Sequence, residues 1–204
     1  MSAAPALRLV LLLLAAPVAE PTPAPTPPPL VDAAALVPGL RLDIRYATPR
    51  NFTGRALYPS PRCLLRPAVA ERLAHAQEAA AAQGLGLKVF DCYRPLSVQR
   101  AMWTLVPDER YVADPAKGSR HNRGAAVDVT LVDAEGHELP MPTAFDDFSA
   151  RAHRDYDDLP PAAIANRARL ERLMTDAGFT GLPTEWWHFD ADGWERYDAL
   201  DVPL

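Results

Sequence analysis

After a proline-rich opening, the apolar residues of this chain recur with two different periods, and the switches between them outline a short series of strands and helices. Residues 40–46 (LRLDIRY) alternate apolar and polar positions, the period of a strand with one buried face. Residues 51–61 are crowded with turn formers. Residues 67–83 (PAVAERLAHAQEAAAAQ) have helical spacing, with Pro67 in the first turn and Gly84 just past the end, a start-and-stop pair that predicts a helix. Residues 85–93 (LGLKVFDCY) predict a strand, and a helical stretch runs from Pro95 to about Leu105. A polar loop over residues 107–124 leads into residues 125–132 (AAVDVTLV), a predicted strand with Val127, Val129 and Leu131 on one face and Asp128 on the other. Glu135-Gly136 predicts a turn returning to about Leu139. Residues 161–176 predict a second long helix, stopped by Gly178, and residues 186–189 a final core strand. Strands and helices do not alternate regularly and no internal repeat is present. The fold class read from this order is α+β: one compact domain with a central, mostly antiparallel sheet and flanking helices.

The amino terminus departs from this pattern. Residues 7–19 (LRLVLLLLAAPVA) are an apolar run behind Arg8, too short to span a bilayer and of the length of a secretory signal core. Ala15, Ala16 and Ala19 offer cleavage positions, and the competing reading is a buried N-terminal helix. Of the chain's 22 prolines, seven fall between Pro17 and Pro29, so the segment after the signal reads as an extended spacer. The organisation expected is a signal over residues 1–19, a proline-rich linker over 20–30 and one folded domain over 31–204. That implies an exported protein, periplasmic or extracellular, with no stable membrane span after signal removal.

Composition narrows the partners. A net charge of -5 with no basic block argues against nucleic acid. The only two cysteines, Cys63 and Cys92, lie inside the domain, and an even count in an exported chain suggests one disulfide. Two buried free thiols are the alternative. No histidine lies near either one in sequence, so a zinc–thiolate site has no support.

Two strings carry the candidate chemistry: SRHNRGAAVD at residues 119–128 and EWWH at residues 185–188. His121, Asp128 and His188 offer two imidazoles and a carboxylate. Three protein ligands leave a fourth position for water, which distinguishes a catalytic zinc site from a closed structural one. Glu185, a carboxylate beside that set, has the chemistry of a general base. Asp128 interrupts an otherwise apolar strand and needs a cation or a hydrogen-bond donor there, while Gly124 permits the tight path from His121. For Glu185 and His188 to meet one metal, a turn must precede the last strand; otherwise the two tryptophans are core and His188 is a satisfied core histidine. Arg94, at a strand-to-helix junction, can place a positive charge against an oxyanion or simply pair with Asp91. His75, His137 and His153 have no partner at ligand spacing and read as surface residues.

These residues resemble the D-alanyl-D-alanine dipeptidases, zinc enzymes within a wider group of zinc D,D-peptidases. The resemblance runs from about Asp43 to the C-terminus, through Tyr46-Ala47-Thr48, Asn51-Phe52-Thr53-Gly54, residues 91–95, residues 119–128, Phe145-Asp146 and residues 185–188. It implies one zinc per chain on His121, Asp128 and His188, Glu185 as catalytic base, and Arg94 as stabiliser of the transition state. It also implies a small closed pocket for a D,D-dipeptide, with Asp146 and Tyr46 holding the substrate ammonium and Ser119 as a further pocket residue. Taken alone, Asp146-Asp147 would be a solvated acidic pair and Tyr46 a strand core residue. The signal, the spacer and the cysteines set this chain apart as an exported branch.

Two other readings compete. A D,D- or L,D-carboxypeptidase trimming peptidoglycan stems would share the chemistry but need an open cleft without an ammonium trap. A zinc-stabilised binding module without catalysis would need neither Glu185 nor Arg94.

Overall fold

The computed structural model describes Met1 and residues 30–204; the expected signal and all of the spacer before Leu30 lie outside the described residues. The chain forms β1 (Val31–Asp32), α1 (Ala33–Leu36), β2 (Arg41–Leu42), β3 (Leu64–Leu65), α2 (Pro67–Ala81), β4 (Gly86–Asp91), α3 (Leu96–Leu105), β5 (Ala126–Val132), α4 (Pro161–Asp176), β6 (Phe179–Gly181) and β7 (His188–Ala191). Five strands make the main sheet in the order β2-β4-β5-β7-β6, antiparallel except for the β2–β4 pair; β1 and β3 form a separate two-stranded ribbon. Helices α2 and α4 pack on each other and on the sheet, α2 against β4 and α4 against β5 and β6. The α+β expectation holds, with one domain built on a mostly antiparallel sheet. Among the described residues no helix is long and apolar enough to cross a membrane.

β5 is the centre of the fold, and all seven of its residues are buried. Its alternation puts Val127, Val129 and Leu131 on one face and Ala126, Asp128 and Thr130 on the other. Register then decides what stands beside Asp128. On β7 its partner is His188, and on β4 it is Asp91. The β4 pairing is not the one that a regular ladder would give. Val89 faces Val129, so the next pair would be Phe90 with Asp128; a β-bulge advances β4 by one residue and brings Asp91 there instead. Bulges of this kind re-aim a side chain beside a site. Three neighbouring strands thus present Asp91, Asp128 and His188 in one row.

Two strand expectations are corrected. Residues 40–46 keep their alternation of burial, but only Arg41–Leu42 pairs as a strand, and Tyr46 lies in a 3-10 turn, Arg45–Ala47. Here β2 is an edge strand whose only partner, β4, ends at the bulge. The chain therefore turns, and the Tyr46 carbonyl is used by the Leu57 and Tyr58 amides. In the C-terminal string, Trp186 and Trp187 are buried as core but precede the strand, which starts at His188. The hairpin return near Leu139 shrinks to a single bridge between Val132 and Glu138.

Cys63 and Cys92 are joined in a disulfide with Cα atoms 5.1 Å apart and a sequence separation of 29. It fastens the turn-rich segment before β3 to the end of β4 across that separation. Both cysteines are buried. Closing a loop of this length should contribute about 3 kcal/mol through the unfolded chain. Replacing both cysteines by alanine is therefore expected to lower the unfolding free energy by about that amount in urea titrations. A loss under about 1 kcal/mol would show that the cross-link does not restrain the unfolded chain as assumed.

Candidate metal centre

His121 reaches the Asp128 row from the preceding loop. It opens a 3-10 turn, His121–Arg123, that ends on Gly124 at φ 65°. The left-handed backbone here is what favours glycine; a Cβ would also stand 2.5 Å from Leu30 Cδ2, a side-chain tip that can turn aside. The turn is fixed to the strand-end segment after β4: the Arg94 amide donates to the His121 carbonyl, and Asn122 Nδ2 donates to the Arg94 carbonyl at 2.8 Å. Ser119 caps this loop, its Oγ accepting from the His121 amide at 3.2 Å and its own amide donating to Asn122 Oδ1 at 2.7 Å.

The three candidate ligands converge. His188 Nδ1 lies 3.0 Å from Asp128 Oδ1, His121 Nε2 lies 3.3 Å from the same oxygen, and the two ring nitrogens are 3.1 Å apart. Each ring is oriented by its other nitrogen. His121 Nδ1 is 2.6 Å from the Cys92 carbonyl oxygen, and His188 Nε2 is 2.9 Å from Asp190 Oδ1. Both partners are acceptors, so those outer nitrogens carry hydrogens, and each inner nitrogen can give its lone pair to a metal once any second proton has left. A tetrahedral ion with bonds of about 2.0–2.1 Å holds its donors about 3.3 Å apart. The donor types, their spacing and the outer hydrogen bonds all fit such an ion. Among the described residues this is the group of His, Cys, Asp and Glu side chains that can hold a metal, and Glu185 stands outside it.

Electrostatics favour a cation at this point. Burial opposes charge on His188, yet its hydrogen bonds to Asp128 and Asp190 outweigh burial and push its pKa up to about 10. Burial likewise raises Asp128, but His121 and His188 more than offset it and hold the carboxyl well below its usual range. Without a metal that positive charge is a second proton on His188; a bound cation would take its place between the two imidazoles and the carboxylate.

Glu185 is brought in by the turn that the sequence required. The His188 amide turns back on the Glu185 carbonyl, and Glu185 Oε2 comes within 3.9 Å of His188 Nδ1. Its buried carboxyl is pushed up to about 7, chiefly by desolvation, which suits a base working near neutral pH. Arg94 does pair with Asp91, at 2.7 Å, but as a buried pair in the site rather than at the surface. Its Nη1 donates to Gln99 Oε1 at 2.9 Å and its guanidinium lies over the Tyr46 ring. Burial works against its charge, but Asp91 outweighs that and raises its pKa well above the ordinary value, so Arg94 stays cationic. Asp146 is neither solvated nor idle. Its Oδ1 accepts from the Tyr46 hydroxyl at 2.9 Å, and its Oδ2 from the Phe52 amide at 3.3 Å. Its backbone adopts φ 63°, an uncommon conformation that Asp tolerates better than most residues.

All eight residues singled out for catalysis, substrate or metal (Tyr46, Arg94, Ser119, His121, Asp128, Asp146, Glu185 and His188) line one cavity of about 280 Å³. That is at the small end of ligand pockets. His75 and His137 are exposed, while His153 is half-buried in an adjoining hollow that shares Glu185. Sequence reading gave no role to Asp190, Asn122, Gln99 or Tyr58, whose hydroxyl donates to Asp91 at 2.7 Å. Only Asp190 had a usable signal, since residues two apart on a strand share a face with their neighbour.

Residues 28–200 match the family model described as D-ala-D-ala dipeptidase. The chain is similar to the D-alanyl-D-alanine dipeptidase of Escherichia coli (strain K12), 42% identical over 171 residues, 84% of this chain and 89% of that protein. It is 33% identical over 175 residues to the enzyme of the same name from Enterococcus faecium, covering 76% of this chain and 87% of the relative. Among solved structures it aligns with the vancomycin-resistance D,D-dipeptidase VanXYg in complex with a D-Ala-D-Ala phosphinate analog, at 23% identity and TM-score 0.42, over 80% of this chain and 58% of that one.

The Asp146 environment makes a prediction for the metal-free protein. Burial raises its carboxyl to about 7, against about 3.9 in an unfolded chain. The folded state therefore keeps a proton that the unfolded state releases, and this group costs stability as pH rises from about 4 to 7. Relative to the parent, Asp146→Asn should gain roughly 2–4 kcal/mol across that window, measured by urea unfolding at each pH. Parallel profiles for parent and variant would contradict the half-buried, proton-holding Asp146.

Proposed function

The chain belongs to the D-ala-D-ala dipeptidase family of metallopeptidases, and from that premise we propose that it hydrolyses D-alanyl-D-alanine and related D,D-dipeptides with one zinc held by His121, Asp128 and His188. The observation that carries this reading is a single small cavity joining a three-donor metal group to a half-buried carboxylate, Asp146, suited to an ammonium.

Bound at the triad, zinc supplies Lewis acidity and makes water nucleophilic near neutral pH. The chain's own groups do the rest. Asp146, ordered by the Tyr46 hydroxyl and the Phe52 amide, receives the substrate's free ammonium. Glu185 takes a proton from the attacking water as the carbon–oxygen bond forms, then passes it to the amine nitrogen as the carbon–nitrogen bond breaks. Arg94, held in place by Asp91 and Gln99, sets a fixed positive charge beside the carbonyl oxygen as negative charge develops there. The hydroxyl and main chain of Ser119 keep the His121 loop in register with Arg94.

The carboxypeptidase alternative is disfavoured by Asp146, since an acylated stem peptide brings no ammonium to this carboxylate. A zinc-stabilised binding module leaves Glu185 and Arg94 without a task. Hydrolysis of D-Ala-D-Ala against N-acetyl-D-Ala-D-Ala, with and without chelator, tests the choice. The free dipeptide alone should be cleaved, and only with metal present; equal cleavage of the acetylated compound would favour the carboxypeptidase.

Glu185→Gln should lower kcat by at least about 100-fold while zinc content stays at that of the parent. His121→Ala, Asp128→Ala and His188→Ala should each lose the metal. Zinc lost in step with activity in Glu185→Gln would make Glu185 a ligand.

We further propose that the enzyme acts outside the cytoplasm, on wall-derived dipeptides for turnover or scavenging; the apolar run at residues 7–19 and the Cys63–Cys92 cross-link support this. A full-length copy should then fail to protect a glycopeptide-sensitive host that makes the alternative wall precursor, where a copy lacking residues 1–19 succeeds. Equal protection by both would contradict export or the proposed role.

A further inference from the structure

The two histidines of the triad are oriented by different means. His121 is held by the main-chain carbonyl of Cys92 at 2.6 Å, which no side-chain substitution removes. His188 is held by a side chain, Asp190 Oδ1, at 2.9 Å. Both lie on β7 two positions apart, so they share a face, and the Asp190 carboxylate meets the outer nitrogen of the ring. Across the ladder, the position paired with Asp190 is Ala126, too small to compete for that space. A positive charge also stands on the other side of the carboxylate. Its Oδ2 faces Arg120 Nε at 3.4 Å, and the Arg120 guanidinium lies over the Trp194 ring, 4.6 Å from its centroid. An imidazole without an outer acceptor can exchange tautomers or turn over, and either change removes the inward lone pair that a metal needs.

We propose that Asp190 is the positioning residue of the metal centre: it fixes the His188 ring with Nδ1 directed at His121 and Asp128, and so sets the affinity of the site for zinc. The proposal rests on the metal reading of the site. Asp190 touches neither substrate nor the reacting atoms in this account and acts only through His188.

The test compares zinc dissociation constants of the parent, Asp190→Ala and Asp190→Asn, by competition with a chromophoric chelator. Far-UV circular dichroism and thermal melts of the metal-free proteins accompany it. Asp190→Ala should bind zinc about 10–100-fold more weakly, while its metal-free form stays folded. Asp190→Asn keeps an acceptor oxygen but not the charge, and should recover part of that loss, remaining more than about threefold weaker than the parent. Parent-like affinity in Asp190→Ala overturns the proposal. So does parent-like affinity in Asp190→Asn if the alanine variant fails to fold. Loss of zinc as complete as in Asp128→Ala overturns it in the other direction, by making Asp190 a ligand. A parent that binds no zinc would instead defeat the metal reading itself.

Discussion

His121 Nε2, Asp128 Oδ1 and His188 Nδ1 meet within 3.0 to 3.3 Å of one another in a buried setting, and the rest of the structure is arranged around that encounter. Such groups gather this closely at low dielectric only around positive charge, a second proton on His188 or a bound metal ion in its place. Among the described residues no Lys or Arg side chain pairs with the triad itself. The surrounding protein supplies hydrogen-bond acceptors on the far side of each ring, which leave the inner nitrogens facing one another. A site built this way suits a divalent ion bound by two imidazoles and one carboxylate, with room for a further ligand.

The sheet provides rigidity and the loops provide reach. β5 and β7 are neighbours, so register alone places Asp128 beside His188. The bulge in β4 adds Asp91 to the same row, and Asp91 in turn anchors Arg94, Tyr58 and the Cys92 amide. Arg94 is therefore tied to the strand that borders the metal strand, and Asn122 ties it again to the His121 loop. At the other edge of the sheet, the chain leaves β2 and turns so that the Tyr46 hydroxyl meets Asp146. The cavity thus runs from Asp146, beside the turn that follows β2, to the candidate metal ligands on β5 and β7.

Much of this was legible in the sequence because it depends on local pattern. The periods of residues 67–83, 125–132 and 161–176 led to α2, β5 and α4, with ends displaced by at most a few residues. Asp128 stood out as a carboxylate in an apolar strand, and the i,i+3 spacing of Glu185 and His188 already demanded the turn that is present. Other parts depend on pairing between distant segments, which periodicity does not encode. The bulge that selects Asp91 over Phe90 is a property of the β4–β5 ladder, not of either strand. Tyr46 has the burial of a strand residue, yet it leaves the strand because its neighbour runs out. Asp190 reads as a polar residue after a core histidine until β7 is placed and its carboxylate is seen on the outer nitrogen of that ring.

The central claim is that one metal ion is held by two imidazoles and a carboxylate, with an open position toward the cavity. X-ray absorption at the zinc edge of the stoichiometrically loaded protein measures that ligand set directly. The expected spectrum shows a low-coordinate shell of nitrogen and oxygen donors, outer scattering from two imidazole rings, and no sulfur. Sulfur in the first shell, scattering from a single ring, or a fully protein-saturated shell with no exchangeable oxygen would contradict it.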